Sequence, residues 1–224
     1  MSDAGPLLSV GERMRFGPLL ATVLFFLAAM PFAADTVLAT FRFPLLFAVV
    51  LVAGVWTVSE RRHELWIALG LALPAFAGSL AYERHMGSQL GPAGLVVGAA
   101  FLGFAGFVVV RAVLREDRVT LDTLLGGVLV YFLIGLMFAL LFAALLALSP
   151  EALRFEVADA GDSFEAMLYY SYVTLTTLGY GDIVPRSEVA RMLAAGEATV
   201  GQLYLAVLIA RLVGLHISAR SRES

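Results

Sequence analysis

From Thr174 to Asp182 the chain reads Thr-Leu-Thr-Thr-Leu-Gly-Tyr-Gly-Asp, and its two glycines narrow what the backbone there can do. In an ordinary extended segment successive carbonyls point in opposite directions. For all of them to point the same way, alternate residues must take left-handed dihedrals, which glycine does without a Cβ penalty. Gly179 and Gly181 are spaced to supply that alternation. The expected product is a one-sided ladder of carbonyl oxygens from Thr177, Leu178, Gly179 and Tyr180, with the Thr177 hydroxyl as a further oxygen at its inner end. A simpler alternative is a Gly-Tyr turn between two helices, with the threonines as local caps. Thr-Thr-x-Gly-Tyr-Gly-Asp fixes six positions, a combination that average composition produces on the order of once in 10^5 chains of this length. The surroundings decide between the two.

Those surroundings are apolar. Hydrophobic residues make up 60% of the chain, well above the roughly 45–50% of soluble domains, so a membrane protein is expected. A span needs roughly 20 apolar residues. Between charges the chain offers 16–34, 43–59 and 65–82, then stretches within 92–110 and 123–148, and a last one from about 189 to 219 that is interrupted by Glu197 and Arg211. The segment 163–176 is too short to cross and fits a re-entrant half-helix. Asp162 and Glu165 fit the N-cap and N3 positions of a capping box at its start. Its C-terminal end carries the negative end of the helix dipole. The first stretch follows Arg13 and Arg15 like a signal peptide, but its apolar run is too long and Ala33-Ala34 lacks a small residue at −3. It reads as a span.

The arginines orient the spans. With a cytoplasmic N-terminus and six crossings, the inside holds Arg13, Arg15, Arg61, Arg62, Arg111, Arg115, Arg118, Arg211, Arg220 and Arg222, and the outside holds Arg42, Arg84, Arg154, Arg186 and Arg191. That excess obeys the positive-inside rule and puts the carbonyl ladder near the outer face. Both termini are then cytoplasmic. Every basic residue is arginine, there is no cysteine, and there are three histidines. Disulfides and thiolate or histidine-rich metal sites are therefore not expected. No nucleophile–base arrangement or phosphate loop supports an enzyme.

The polar break Arg115-Glu116-Asp117-Arg118 divides the chain into a four-helix part, 1–114, and a part, 115–224, made of an outer helix, a turret, a half-helix, the ladder and an inner helix. The turret carries Glu151, Glu156, Asp159, Asp162 and Glu165 against Arg154, an acidic set that would concentrate cations. Few residues follow the last apolar stretch, so no cytoplasmic nucleotide-binding or calcium-sensing domain is expected. One ladder per chain and no internal repeat mean that a closed cage of ladders needs several copies around an axis.

With these residues in view, the segment 169–185 resembles the pore of tetrameric potassium channels, specifically small bacterial six-helix channels with one pore loop. Thr177-Leu178-Gly179-Tyr180-Gly181 is similar to their Thr-Val-Gly-Tyr-Gly loop, four copies of which replace the hydration shell of K+ with carbonyl oxygens. The resemblance implies an all-α membrane protein with six transmembrane helices, a re-entrant pore helix, a selectivity-filter loop and a homotetrameric pore. It implies K+ at Thr177, Leu178, Gly179 and Tyr180, passive flux across the cytoplasmic membrane, and no enzyme activity. No cofactor is implied beyond the permeating ion, and the partners are other copies of the chain and membrane lipids, with no nucleic acid. Tyr169-Tyr170 stand where voltage-gated relatives carry a Trp pair, so Tyr170 is expected to hydrogen-bond Asp182 and Tyr169 to pack against Tyr180 of a neighbour. Val173 stands where some simpler bacterial channels have a buried Glu.

Gly201 corresponds to the family's gating hinge, with close helix packing as the alternative. Glu197, an ionisable residue within a span, is expected behind the filter as a brace on the pore helix, with proton sensing as the alternative, and Arg211 is expected to snorkel to the headgroups. A voltage sensor needs several membrane-embedded arginines at every third position. The fourth span has none before Arg111, and Arg111, Arg115 and Arg118 read as cytoplasmic anchors. Arg42 is expected to pair with Asp35 or to snorkel. Weak or absent voltage dependence follows. The alternatives are a poorly selective cation channel, which Tyr180 argues against, and a non-conducting sensing or assembly subunit with a retained pore fold.

Overall fold

The computed structural model describes residues 15–29, 42–58, 62–83, 90–116, 119–156 and 164–220. Along the chain run α1 (Gly17–Ala29), α2 (Arg42–Val58), α3 (Arg62–Glu83), α4 (Leu90–Arg115), α5 (Leu121–Leu148), β1 (Leu153–Phe155), α6 (Phe164–Leu175), β2 (Ile183–Pro185) and α7 (Glu188–Arg220). Among the described residues α3, α4, α5 and α7 are long and apolar enough to cross a membrane. The apolar helices α1 and α2 have 13 and 17 residues, and at about 1.5 Å per residue both fall short of a hydrocarbon core about 30 Å thick. Of the six expected spans, four are helices of full length among the described residues, and the first two are described in part, since residues 30–41 and 59–61 lie outside the described residues. At 12 residues α6 cannot cross.

Local chemistry sets the ends. Thr120 is extended and its Oγ1 accepts from the Thr123 backbone N–H at 3.1 Å, capping α5. Asp122 in the first turn of α5 suits the positive end of the helix. Its Oδ1 also accepts from the Phe16 N–H at 2.9 Å, which ties the start of α1 to α5. Helices α3 and α4 cross on glycine: a Cβ on Gly78 would lie 2.2 Å from the Gly94 Cα, so the two backbones meet where any side chain would collide.

The core lies among α1, α2, α4, α5 and α6, with Phe43, Phe101, Leu102, Leu133 and Phe142 almost fully buried. Phe164, the first residue of α6, packs at a tilt against the Phe43 ring with centroids 4.1 Å apart and meets Phe26 edge-on at 6.3 Å. Aromatic pairs of this kind add about 0.5–1.5 kcal/mol each beyond their area. They fix where the short helix begins. Helix α7 is different: 6% of its apolar window is buried, against 61% for α5.

One element departs from the all-α expectation. Strands β1 and β2 form an antiparallel ribbon pairing Leu153 with Pro185, Arg154 with Val184 and Phe155 with Ile183. Two further bonds extend it, from the Glu156 N–H to the Asp182 carbonyl and from the Arg186 N–H to the Ala152 carbonyl, both 2.8 Å. The chain leaves α5 and returns from the ladder side by side, and the two backbones satisfy each other. Three-residue strands are too short to leave a periodic signature in sequence.

Candidate functional site

The ladder begins where α6 ends. The Thr177 N–H donates to the Thr174 carbonyl at 2.9 Å and the Leu178 N–H to the Val173 carbonyl at 2.9 Å. These two bonds form a Schellman motif with Thr177 at the left-handed position that glycine usually occupies. Thr177 has φ 60°, Gly179 φ 57° and Gly181 φ 82°. Alternate residues therefore share the left-handed region over five positions, the condition for carbonyls to face one way. At both glycines a Cβ would meet nothing within 4 Å, so glycine is needed there for its dihedral and not for space. Thr177 has no such exemption: a β-branched residue at positive φ stores on the order of 1–3 kcal/mol of strain. Sequence reasoning found the two glycines and missed the strained threonine.

The outer end is tied down by α6. The Tyr169 hydroxyl donates to Asp182 Oδ2 at 2.7 Å, and Asp182 Oδ1 accepts from the Ile183 N–H at 3.1 Å. This bond pushes the Tyr169 phenol up to about 12, so it remains a donor. The expectation for Tyr170 is corrected here. About 100° further round the helix, Tyr170 turns into the core and meets the Phe142 ring edge-on at 4.8 Å. Leu178 and Tyr180 are 59% and 67% exposed on the single chain, and Val173 is buried.

Behind the ladder, Glu197 is fully buried and its Oε1 lies 2.5 Å from Ser171 Oγ on α6. Gly201, one turn further along α7, is packed closely: a Cβ there would stand 2.8 Å from the Leu175 carbonyl oxygen. Helix α7 runs through it without a break, which favours packing over the expected hinge. Arg211 turns toward the end of α4. Its Nη2 lies 3.3, 2.6 and 3.0 Å from the carbonyls of Val113, Leu114 and Glu116, capping the C-terminus of α4.

Other groups joining the elements were not legible beforehand. The Tyr172 hydroxyl donates to the Phe132 carbonyl at 2.8 Å, and its ring fills the space where a Gly135 Cβ would sit. The Tyr204 hydroxyl donates to the Gly127 carbonyl at 2.6 Å. A polar residue facing a glycine across apolar helices is the signal both share. Arg111 lies 3.8 Å from Glu64 of α3, a pairing not anticipated for an anchor. On the turret Arg154 pairs with Glu156, which offsets part of the acidic set. Asp35, Asp117, Arg118, Asp159, Asp162 and the Arg42 side chain lie outside the described residues.

Taken together, the site is a segment with left-handed residues at Thr177, Gly179 and Gly181, open to solvent on the single chain from 176 to 181 and backed by the buried hydrogen bond between Ser171 and Glu197. Among the described residues no group of acidic or histidine side chains is arranged to hold a metal ion. A search of curated proteins and of solved structures found no match to the chain. Residues 119–216, which hold α5, α6, the ladder and most of α7, match the family model described as Ion channel, and this match supports channel function in that part of the chain.

Proposed function

We propose that this chain is one subunit of a homotetrameric potassium-selective channel of the cytoplasmic membrane, conducting K+ passively. The observation that carries the proposal is the alternation of left-handed dihedrals at Thr177, Gly179 and Gly181, which aims the carbonyls of Thr177 to Tyr180 in one direction. Four such rows around an axis replace the waters of a dehydrated K+. Na+, which holds its shell more tightly, is rejected. Tyr169, Asp182 and Glu197 support the filter from outside the ion path, and Gly201 seats the inner helix on it.

Two features support assembly from several copies. One chain supplies one row of oxygens, and the apolar face of α7 bearing Leu203, Val207 and Val213 is exposed. We take residues 115–224 as the pore-forming part and 1–114 as a helical domain without a charge ladder. Arg111 is engaged by Glu64 and no arginine precedes it in α4, so weak voltage dependence is expected. The arginine excess puts both termini in the cytoplasm.

Purified chain in liposomes tests the proposal: rubidium or potassium flux down its electrochemical gradient, with sodium at matched gradient as comparison. Strong discrimination against sodium is expected. Equal sodium flux would leave a poorly selective cation pore, and no flux at all would leave a non-conducting subunit.

A further inference from the structure

Three elements meet at Ser171. Its Oγ lies 2.6 Å from the Gly135 carbonyl oxygen on α5 and 2.5 Å from Glu197 Oε1 on α7. Both distances lie in the range of O–H···O hydrogen bonds, and each such bond needs its own hydrogen. A serine hydroxyl carries one hydrogen and a carbonyl carries none. The Ser171 hydrogen therefore goes to Gly135, and the hydrogen between Ser171 and Glu197 must come from the glutamic acid.

The surroundings agree with a neutral side chain. Glu197 is fully buried and its second oxygen, Oε2, has no hydrogen-bond partner. An ionised carboxylate left half unpaired in such a place is costly, whereas a neutral acid leaves just one carbonyl oxygen bare. The titratable groups facing it are phenols: Tyr131 from α5, and Tyr170 and Tyr172 from α6. Strand β2, Ile183–Pro185, brings none. Among the described residues the ion pairs join His63 and Arg111 to Glu64 and Arg154 to Glu156, and none reaches Glu197.

We infer that Glu197 is a proton-dependent positioning residue: as a neutral acid it donates to Ser171, which donates to Gly135, and this two-bond chain clamps α7, α6 and α5 together behind the filter. The inference rests on the channel reading above and adds a condition to it, that conduction requires the proton on Glu197. Loss of the proton turns the Ser171 hydroxyl from Gly135 toward the carboxylate and leaves a buried charge with no cation beside it. The half-helix that carries the filter then loses its seat on α5.

The full chain in liposomes tests this by rubidium uptake from mildly acidic to mildly alkaline pH. Wild-type uptake is expected to fall several-fold as pH rises. Glu197→Gln, whose amide still donates to Ser171 but cannot titrate, should retain uptake and lose the pH dependence; Glu197→Ala should be weak at every pH. Matching pH profiles for wild type and Glu197→Gln, or a Glu197→Gln variant that assembles without conducting, would overturn the inference. Infrared spectroscopy gives a readout independent of flux: the wild type at neutral pH should carry a carboxylic-acid C=O band missing from Glu197→Gln, and its absence would refute the neutral acid. A wild type that passes no rubidium at any pH overturns the channel reading and the flux requirement with it, while the infrared band still decides where the proton sits.

Discussion

At the scale of single residues, the two kinds of glycine in this chain respond oppositely to substitution. Gly179 stands in open space at φ 57°, so Gly179→Ala clashes with nothing yet adds about 1–2 kcal/mol of left-handed strain. Folding and assembly should survive while rubidium uptake disappears, because the carbonyl above it turns away. Unchanged uptake would refute the ladder. The adjacent tyrosines separate in the same manner. Tyr169→Phe removes the donor to Asp182, a charge-assisted bond of about 1.5–3 kcal/mol, and current should decay faster during sustained conduction. Tyr170→Phe leaves that bond intact and should match wild type in the same recording.

Between elements, contact with α6 decides how α7 tolerates change. Gly201→Ala would push a methyl to 2.8 Å from the Leu175 carbonyl and 2.7 Å from its side chain. Overpacking of that kind costs about 1–3 kcal/mol, to be read as a lower thermal midpoint. Gly196 has nothing within 4 Å, so Gly196→Ala should be neutral or stabilising by up to about 1 kcal/mol through helix propensity. Equal effects at both glycines would restore the hinge at Gly201. At the far end of α7, Arg211 caps the last carbonyls of α4. Arg211→Met should speed amide hydrogen exchange in the last turn of α4, while exchange at the start of α5 stays unchanged.

For the molecule as a whole, the exposed face of α7 and the bare filter side chains predict that a single copy is incomplete. The native chain has no cysteine, so Leu203→Cys provides a clean probe. Oxidation in the membrane should give crosslinked dimers, and monomer alone would count against a shared axis. Current–voltage series should lack steep activation, because Arg111 of α4 is paired with Glu64 and no charged residue precedes it in that helix.

Much of this protein was legible without coordinates. Residue identity alone determines the positions of the apolar spans and the spacing of Gly179 and Gly181, because the cost of burying charge and the freedom of glycine are local properties. The same reasoning singled out Glu197 as an ionisable residue within a span, and the structure has it buried beside Ser171. Tertiary structure decided which neighbour each group meets. It turned Tyr169 and not Tyr170 toward Asp182, sent Arg211 to the end of α4, put a β-ribbon between helices and brought Ser171 between Gly135 and Glu197. Those outcomes depend on how helices rotate and cross when they pack, and on hydrogen bonds between residues 13 to 98 positions apart. No short-range pattern in the chain records such pairings.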